Sequence, residues 1–240
     1  FRKSGWTSRL SVGQGFFAPT PLTEETEAAG LSRLKVPLAL RAERGRSASW
    51  DVTRTMGPVS ATATVFASSV RNPLHVERAT YTLINSPESA RNRGAEMLAT
   101  YRKAPFSATA SYTYVRSRET DAGQRVDTPL TPRHNFGITG MWEKENTWRV
   151  GVEAYYTGRQ RLEQNPYRRT SEPYVSTGFL IERRFGPVRA FLNAENLNDA
   201  RQTRWNPLLR PGRAADGRWT VDAWAPLEGR VFNGGIRFGF

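Results

Sequence analysis

Strict alternation of apolar and polar side chains, repeated along the whole chain, limits this sequence more than any other feature does. In 148–158, Trp148, Val150, Val152, Ala154 and Tyr156 alternate with Arg149, Gly151, Glu153, Tyr155 and Thr157, and Arg159 follows in the odd set. In 105–115, Phe106, Ala108, Ala110, Tyr112 and Tyr114 alternate with Ser107, Thr109, Ser111 and Thr113. Phe136, Ile138, Gly140 and Trp142 oppose Asn135, Gly137, Thr139 and Glu143; Val188, Ala190, Leu192 and Ala194 oppose Arg189, Phe191, Asn193 and Glu195. A strand sends successive side chains to opposite faces, so each segment reads as a strand with one apolar and one polar face. The same test marks 6–15, 45–56, 59–69, 92–102, 174–185 and 230–240. That makes about ten strands, each near the ~10 residues that cross a membrane in a tilted strand. No window keeps apolar residues at helical spacing between caps.

The order of connections narrows the choice. "MGPV" (56–59), "KAPF" (103–106), "EKENTW" (143–148) and "FGPV" (185–188) read as tight turns. Between them lie long polar links at 16–44, 70–91, 117–132, 158–173 and 197–229. Short and long therefore alternate, which places every long link at one end of the strands. A soluble sandwich has no need of that asymmetry, whereas an outer-membrane barrel has short periplasmic turns and long extracellular loops. Aromatics on the apolar face fall toward both strand ends: Trp6, Phe106, Trp142, Trp148, Phe238 and Phe240 near the short turns, and Tyr112, Tyr114 and Tyr156 toward the loops. This resembles two interfacial girdles. Charges at Glu96, Arg149, Glu153, Arg189, Glu195 and Arg237 fall on the opposite face, where a wet lumen accepts them. The predicted fold class is all-β, an antiparallel transmembrane β-barrel. A soluble sandwich filled by the same aromatics is the competing arrangement.

Composition sets the chemistry. The 240 residues carry 35 Lys plus Arg against 22 Asp plus Glu, a net charge of +13. Lysines occur only at 3, 35, 103 and 144, so the basicity is arginine, suited to planar contacts with phosphate or carboxylate. Without cysteine, thiolate chemistry and disulfides are excluded. No run approaches the ~18 apolar residues of a membrane helix. Residues after Phe1 lack the layout of a signal peptide, which predicts a mature protein or a fragment.

Motifs for catalysis are thin. "GQGFFA" (13–18) fits a dinucleotide fingerprint, but Pro19 and Pro21 follow directly and prevent a helix from receiving a pyrophosphate. His75 and His134 lie on separate links without further ligands at metal-binding spacing, and no Gly-x-Ser-x-Gly elbow is present. No catalytic, metal or cofactor residue is assigned. The richest link, 197–229, interleaves Arg201, Arg204, Trp205, Arg210, Arg213, Arg218, Trp219 and Trp224. On a cell surface these are candidate contacts for an anionic ligand or for lipopolysaccharide phosphates; a solvated loop, or a single-strand nucleic-acid groove, would show the same pattern.

Five stretches together resemble the C-terminal barrel of TonB-dependent outer-membrane receptors: "SVGQGFFAP" (11–19), "NRGAEMLATY" (92–101), "TPRHNFGITG" (131–140), "FLNAENLNDARQTRW" (191–205) and "LEGRVFNGGIRFGF" (227–240). Glu228 stands where that family commonly has Pro. The resemblance implies a plugged barrel of 22 strands that imports a scarce ligand, such as a ferric siderophore or cobalamin, and is not an enzyme. It implies an outer-membrane location among lipid and lipopolysaccharide, a TonB complex acting through a plug, and the barrel assembly machinery as partners. It also implies an assembly signal in the last strand at Asn233, Gly235, Phe238 and Phe240. Neither plug nor TonB box is visible, so residues 1–240 are expected to be the C-terminal portion of a longer barrel. The alternatives are a self-contained ten-stranded barrel, enzyme or porin, and a soluble arginine-rich nucleic-acid-binding β protein.

Overall fold

The computed structural model describes residues 2–19, 34–77, 80–121, 123–214 and 217–239. In chain order its strands are β1 (Arg2–Lys3), β2 (Trp6–Phe17), β3 (Glu43–Met56), β4 (Val59–Arg71), β5 (Leu74–Glu77), β6 (Thr82–Asn85) and β7 (Ala90–Lys103). They continue as β8 (Phe106–Asp121), β9 (Gln124–Asp127), β10 (His134–Lys144), β11 (Trp148–Thr157), β12 (Tyr174–Phe185), β13 (Val188–Glu195) and β14 (Val231–Phe238). Twelve of them form one antiparallel meander, β1-β2-β3-β4-β7-β8-β10-β11-β12-β13-β14, with β9 paired to the upper end of β8. β5 and β6 make a separate hairpin. Each of the ten strands expected from the alternation is present, nine of them within two residues of the expected bounds, while β8 runs six residues past its expected end at 115.

Two expected links differ. Residues 117–121 continue β8, and β9 folds back on them with Arg118 opposite Asp127. The alternation is lost there because both faces of "RSRETD" are polar, as suits a strand that has left the apolar layer. The link 70–91 likewise holds β5 and β6. All but the last residue of the stretch matching a dinucleotide fingerprint lies in β2, with Gly13 opposite Ser47 and Gly15 opposite Gly45.

Register carries each face across the sheet. One row joins Leu10, Trp50, Val65, Ala95, Tyr114 and His134. Another joins Trp142, Val150, Ile181, Leu192 and Gly234. This face stays open to its surroundings; Val12 is 79% exposed, Met97 62% and Phe238 66%. Such a contiguous apolar surface is far beyond what a soluble monomer leaves bare. On β7 the outward side chains between Lys103 and Arg93 are Tyr101, Ala99, Met97 and Ala95. That interval is ten residues, about 33 Å along the strand and about 25 Å along the normal at a ~40° tilt, the height of a membrane band. The short-turn rim is lined by cation–ring pairs: Arg54 lies 4.7 Å from the Trp6 ring centre, and Arg183 lies 4.6 Å from Trp148 and 4.5 Å from Phe185. An arginine at mid-band would cost about 2–4 kcal/mol, falling to ~0–1 near the interface. The rims are therefore where outward arginines belong.

The opposite face is polar. Thr53 and Thr62 share a 2.8 Å hydrogen bond across β3 and β4, and Thr64 donates to Asp51 at 2.8 Å. A ladder of ion pairs crosses β10–β13: Arg149 with Glu143 at 2.9 Å and Glu182 at 3.9 Å, and Arg189 with Glu182 at 3.4 Å. Glu96, Arg149, Glu153, Arg189, Glu195 and Arg237 all fall on this face by register. At Gly94 an added Cβ would lie 2.1 Å from the Tyr114 carbonyl oxygen and 2.7 Å from the Phe66 ring, so only glycine fits there.

The sheet is open. Among the described residues β14 pairs with β13 alone, and β2 beyond Thr7 has β3 as its one neighbour. Bare sheet edges are not tolerated in hydrocarbon, because unpaired backbone groups there cost several kcal/mol each. Closing the barrel requires strands beyond these, which corrects the alternative of a self-contained ten-stranded barrel.

Candidate ligand-facing cap and closing strand

The loops at 158–173 and 196–230 pack on each other above the sheet. Their shared centre is Leu162, Trp224 and Ala225, with Tyr174 and Trp205 packed against it. Trp205 and Trp224 rings lie 5.3 Å apart, and Tyr174 and Trp205 rings 6.3 Å apart. Among the described residues apolar burial of this kind is otherwise sparse, since the strands turn their apolar face outward.

Amide side chains hold the cap's backbone. Gln202 opens a short 3-10 turn (Gln202–Arg204) and is fully buried. Its Nε2 donates to the Asp222 carbonyl at 3.0 Å, and its Oε1 accepts from Trp224 N at 2.8 Å. Gln160 Nε2 donates to the Trp224 carbonyl at 3.0 Å and so joins the two loops. Asn196 Nδ2 donates to the carbonyls of Ala200 at 2.9 Å and Glu228 at 3.1 Å, while its Oδ1 accepts from Ala200 N at 2.8 Å. Asn198 Oδ1 accepts from Thr177 N at 3.0 Å. The "NAENLND" stretch is thus the clamp where β13 leaves the sheet, and Asn196 and Asp199 take the positive φ angles (50° and 57°) that Asn and Asp tolerate.

Arg161 ties the first loop to the β8–β9 hairpin through Asp121 at 3.0 Å. In the projecting part of β8, burial pushes the Glu119 carboxyl above the usual range, and Glu163 adds to the rise. Arg168 pairs with Glu172 at 3.0 Å, donates to the Trp205 carbonyl at 3.2 Å and lies 5.7 Å from the Trp224 ring centre.

The eight candidate contact residues fall into separate groups. Trp224 is 3% exposed and belongs to the cap's core with Trp205. Arg201 and Arg204 share Asp199, at 2.9 and 3.8 Å. Arg218 pairs with Asp222 at 2.6 Å, and Arg210 donates to the Gln164 carbonyl. Arg213 stacks over Trp219 at 4.8 Å, and Trp219 is 53% exposed. Exposed on the cap are Arg204, Arg213 and Trp219. His134 starts β10, where its Nδ1 shares a 2.8 Å hydrogen bond with Tyr112 Oη, and His75 lies in β5.

In the closing strand, Asn233 is opposite Asn193, Gly235 opposite Phe191, and Phe238 opposite Val188. A Cβ at Gly235 would lie 2.9 Å from the Phe191 ring, over which Arg237 stacks at 4.9 Å. Phe232, Ile236 and Phe238 line the outward face. Phe240 lies outside the described residues. Gln160 and Gln202 leave no mark in the sequence, because their neutral amides carry no charge or spacing signature. An outward arginine cluster does leave a signal, the three Arg-x-Arg doublets at 44–46, 91–93 and 116–118.

Comparison with known proteins bears on the whole chain. The family profile described as "TonB dependent receptor-like, beta-barrel" matches residues 3–197. Among solved structures, the ferric enterobactin receptor of Pseudomonas aeruginosa is similar at a TM-score of 0.71 and 14% identity, covering 98% of this chain and 38% of that one. The copper transporter OprC is similar at 0.70 and 15%, covering 100% and 38%. The FrpB iron transporter of Neisseria meningitidis is similar at 0.70 and 13%, covering 98% and 37%. At those identities the likeness is one of fold, and the chain spans little more than a third of these proteins. No curated protein matches it.

Proposed function

This chain belongs to the TonB-dependent receptor β-barrel family, and from that premise we propose that it forms the C-terminal portion of the barrel of an outer-membrane active importer. The observation that carries the reading is the placement of an interlocked cap above a polar sheet face, at the end opposite every tight turn. In this mechanism no bond is made or broken. The cap captures a scarce ligand, such as a ferric siderophore or cobalamin, from outside. A plug contributed by the rest of the protein is moved by the TonB complex, and the ligand passes along the polar face. Iron, copper and ferric enterobactin are named for the structures of similar fold, which supports a metal-complex ligand.

Arg204, Arg213 and Trp219 are the exposed members of this group and meet that ligand, while Arg201, Trp205, Arg210, Arg218 and Trp224 hold the cap's shape. Asn233, Gly235, Phe238 and Phe240 serve as the signal read by the barrel assembly machinery. Partners are therefore outer-membrane lipid, that machinery and the TonB complex, with no nucleic acid.

A strain lacking the gene should grow poorly in media limited for iron, cobalamin or copper. The wild-type gene should restore growth, and a version with 203–222 replaced by a short Gly-Ser turn should not, although it reaches the outer membrane. Growth indifferent to the gene in all three media, or restoration that persists without the TonB complex, would sink the importer reading.

A further inference from the structure

The three Arg-x-Arg doublets come together at one place. Register sets Arg46 beside Ser69, Ser69 beside Arg91, and Arg91 beside Arg118. One row nearer mid-band, Ala48, Ala67, Arg93 and Arg116 follow in the same order. All share the outward face with Met97 and Tyr112, just past the loop-side end of the apolar band. The small residues of β3 and β4 form the floor of a trough of about 830 Å³, and the arginines form its walls. From β3 to β8 it spans three strand spacings, roughly 14 Å.

This arrangement is unfavourable by itself. Arg91 is directly opposite Arg118, Arg93 opposite Arg116, and Arg44 opposite Arg71. Like charges facing across a strand pair repel. Arg118 has Asp127 at 3.5 Å, and nearby Arg125 has Glu88 at 3.8 Å. Among the described residues no carboxylate lies within ion-pair distance of Arg46, Arg91, Arg93 or Arg116, and Arg116 Nε is buried without a hydrogen-bond partner. An anion seated between the doublets removes the repulsion and supplies the acceptors. Guanidinium groups match phosphate oxygens in pairs.

We propose that this outward trough binds the phosphorylated sugar headgroup of lipopolysaccharide, with the acyl chains lying along the apolar band below. The proposal rests on the outer-membrane placement given above. Level and orientation select the occupant: the arginines point away from the lumen, so an imported ligand does not meet them. They stand where the headgroups of the outer leaflet begin, with Tyr112, Tyr114 and Met97 beneath them to meet acyl chains. A basic cluster beside an apolar surface is the general pattern of lipid-headgroup recognition.

The test uses the complete encoded protein, purified in detergent from outer membranes. First, unheated gel mobility and membrane fractionation establish whether it is a folded outer-membrane barrel; failure there overturns the placement, and this proposal with it. Next, bound lipid A is quantified by mass spectrometry after detergent exchange. Binding of bisphosphorylated lipid A, dephosphorylated lipid A and inorganic phosphate is then compared. The wild type should retain bisphosphorylated lipid A at least tenfold better than the dephosphorylated form. The triple variant Arg91→Ser, Arg93→Ser, Arg116→Ser should lose that preference, while Arg183→Ser at the other rim keeps it. If the triple variant does not fold, the wild-type preference for the phosphorylated lipid decides alone. Equal retention of both lipids by wild type, an unchanged preference in a folded triple variant, or binding of inorganic phosphate without lipid would overturn the proposal.

Discussion

The two faces of this sheet treat the same residue type in opposite ways. On the lumen side Arg184, Arg189 and Arg237 form a row of like charges, each opposite the next. Each is relieved from within the chain: Arg184 donates to Asn146 Oδ1 at 2.9 Å, Arg189 pairs with Glu182, and Arg237 stacks on Phe191. On the outward side the facing pairs Arg93–Arg116 and Arg44–Arg71 have no such carboxylate or amide among the described residues. The contrast teaches that this arginine row of the lumen face is relieved by the chain's own groups, whereas the outward arginine pairs are complete only with their surroundings. Apolar side chains repeat the lesson. They are buried in the cap by other protein groups, and along the strands they are left for lipid to cover.

Neighbouring residues test the contrast most strongly. Met97 points outward at mid-band, and Leu98 points to the lumen. Met97→Arg should destabilise the barrel by about 2–4 kcal/mol, whereas Leu98→Arg should cost less than about 1 kcal/mol. Unfolding in urea from detergent or bilayers, read by tryptophan fluorescence, measures both; equal losses would erase the distinction between the faces. A smaller effect is expected at the closing strand. Gly235→Val pushes a side chain into the Phe191 ring, and overpacking costs about 1–3 kcal/mol. Phe191→Ala should relieve part of that loss in the double variant, and absence of coupling would show that the ring does not set this register. The smallest effect belongs to the ion-pair ladder. Glu182→Ala deprives Arg189 of its partner but leaves Arg149 with Glu143. These arginines are more than a third exposed, so the loss should be roughly 0.2–1 kcal/mol and shrink in high salt. A larger, salt-independent loss would mean that the ladder is shielded from water.

Legibility followed the physics of each layer. Inside the apolar band, strands could be read almost to the residue, because lipid on one side and water on the other force a period of two. Val188–Glu195 and Tyr174–Phe185 were found at their expected bounds. Above the band that force disappears, so residues 117–121 read as loop although they continue β8. The cap was legible only in part. Its Arg and Trp content marked it out, yet their roles depend on Gln160, Gln202 and Asn196, whose contribution is positional.

By itself the sequence determined the number of long strands and, except at the upper end of β8, their bounds, which face of each is apolar, and which ends carry the loops. These follow from local alternation and turn chemistry. Only the tertiary structure decided that the sheet stays open, that two loops interlock around Trp224, and that three distant Arg-x-Arg doublets meet on one outward ledge. Such facts depend on which strands become neighbours and in what register. Register is set by the whole meander, not by any one segment of the chain.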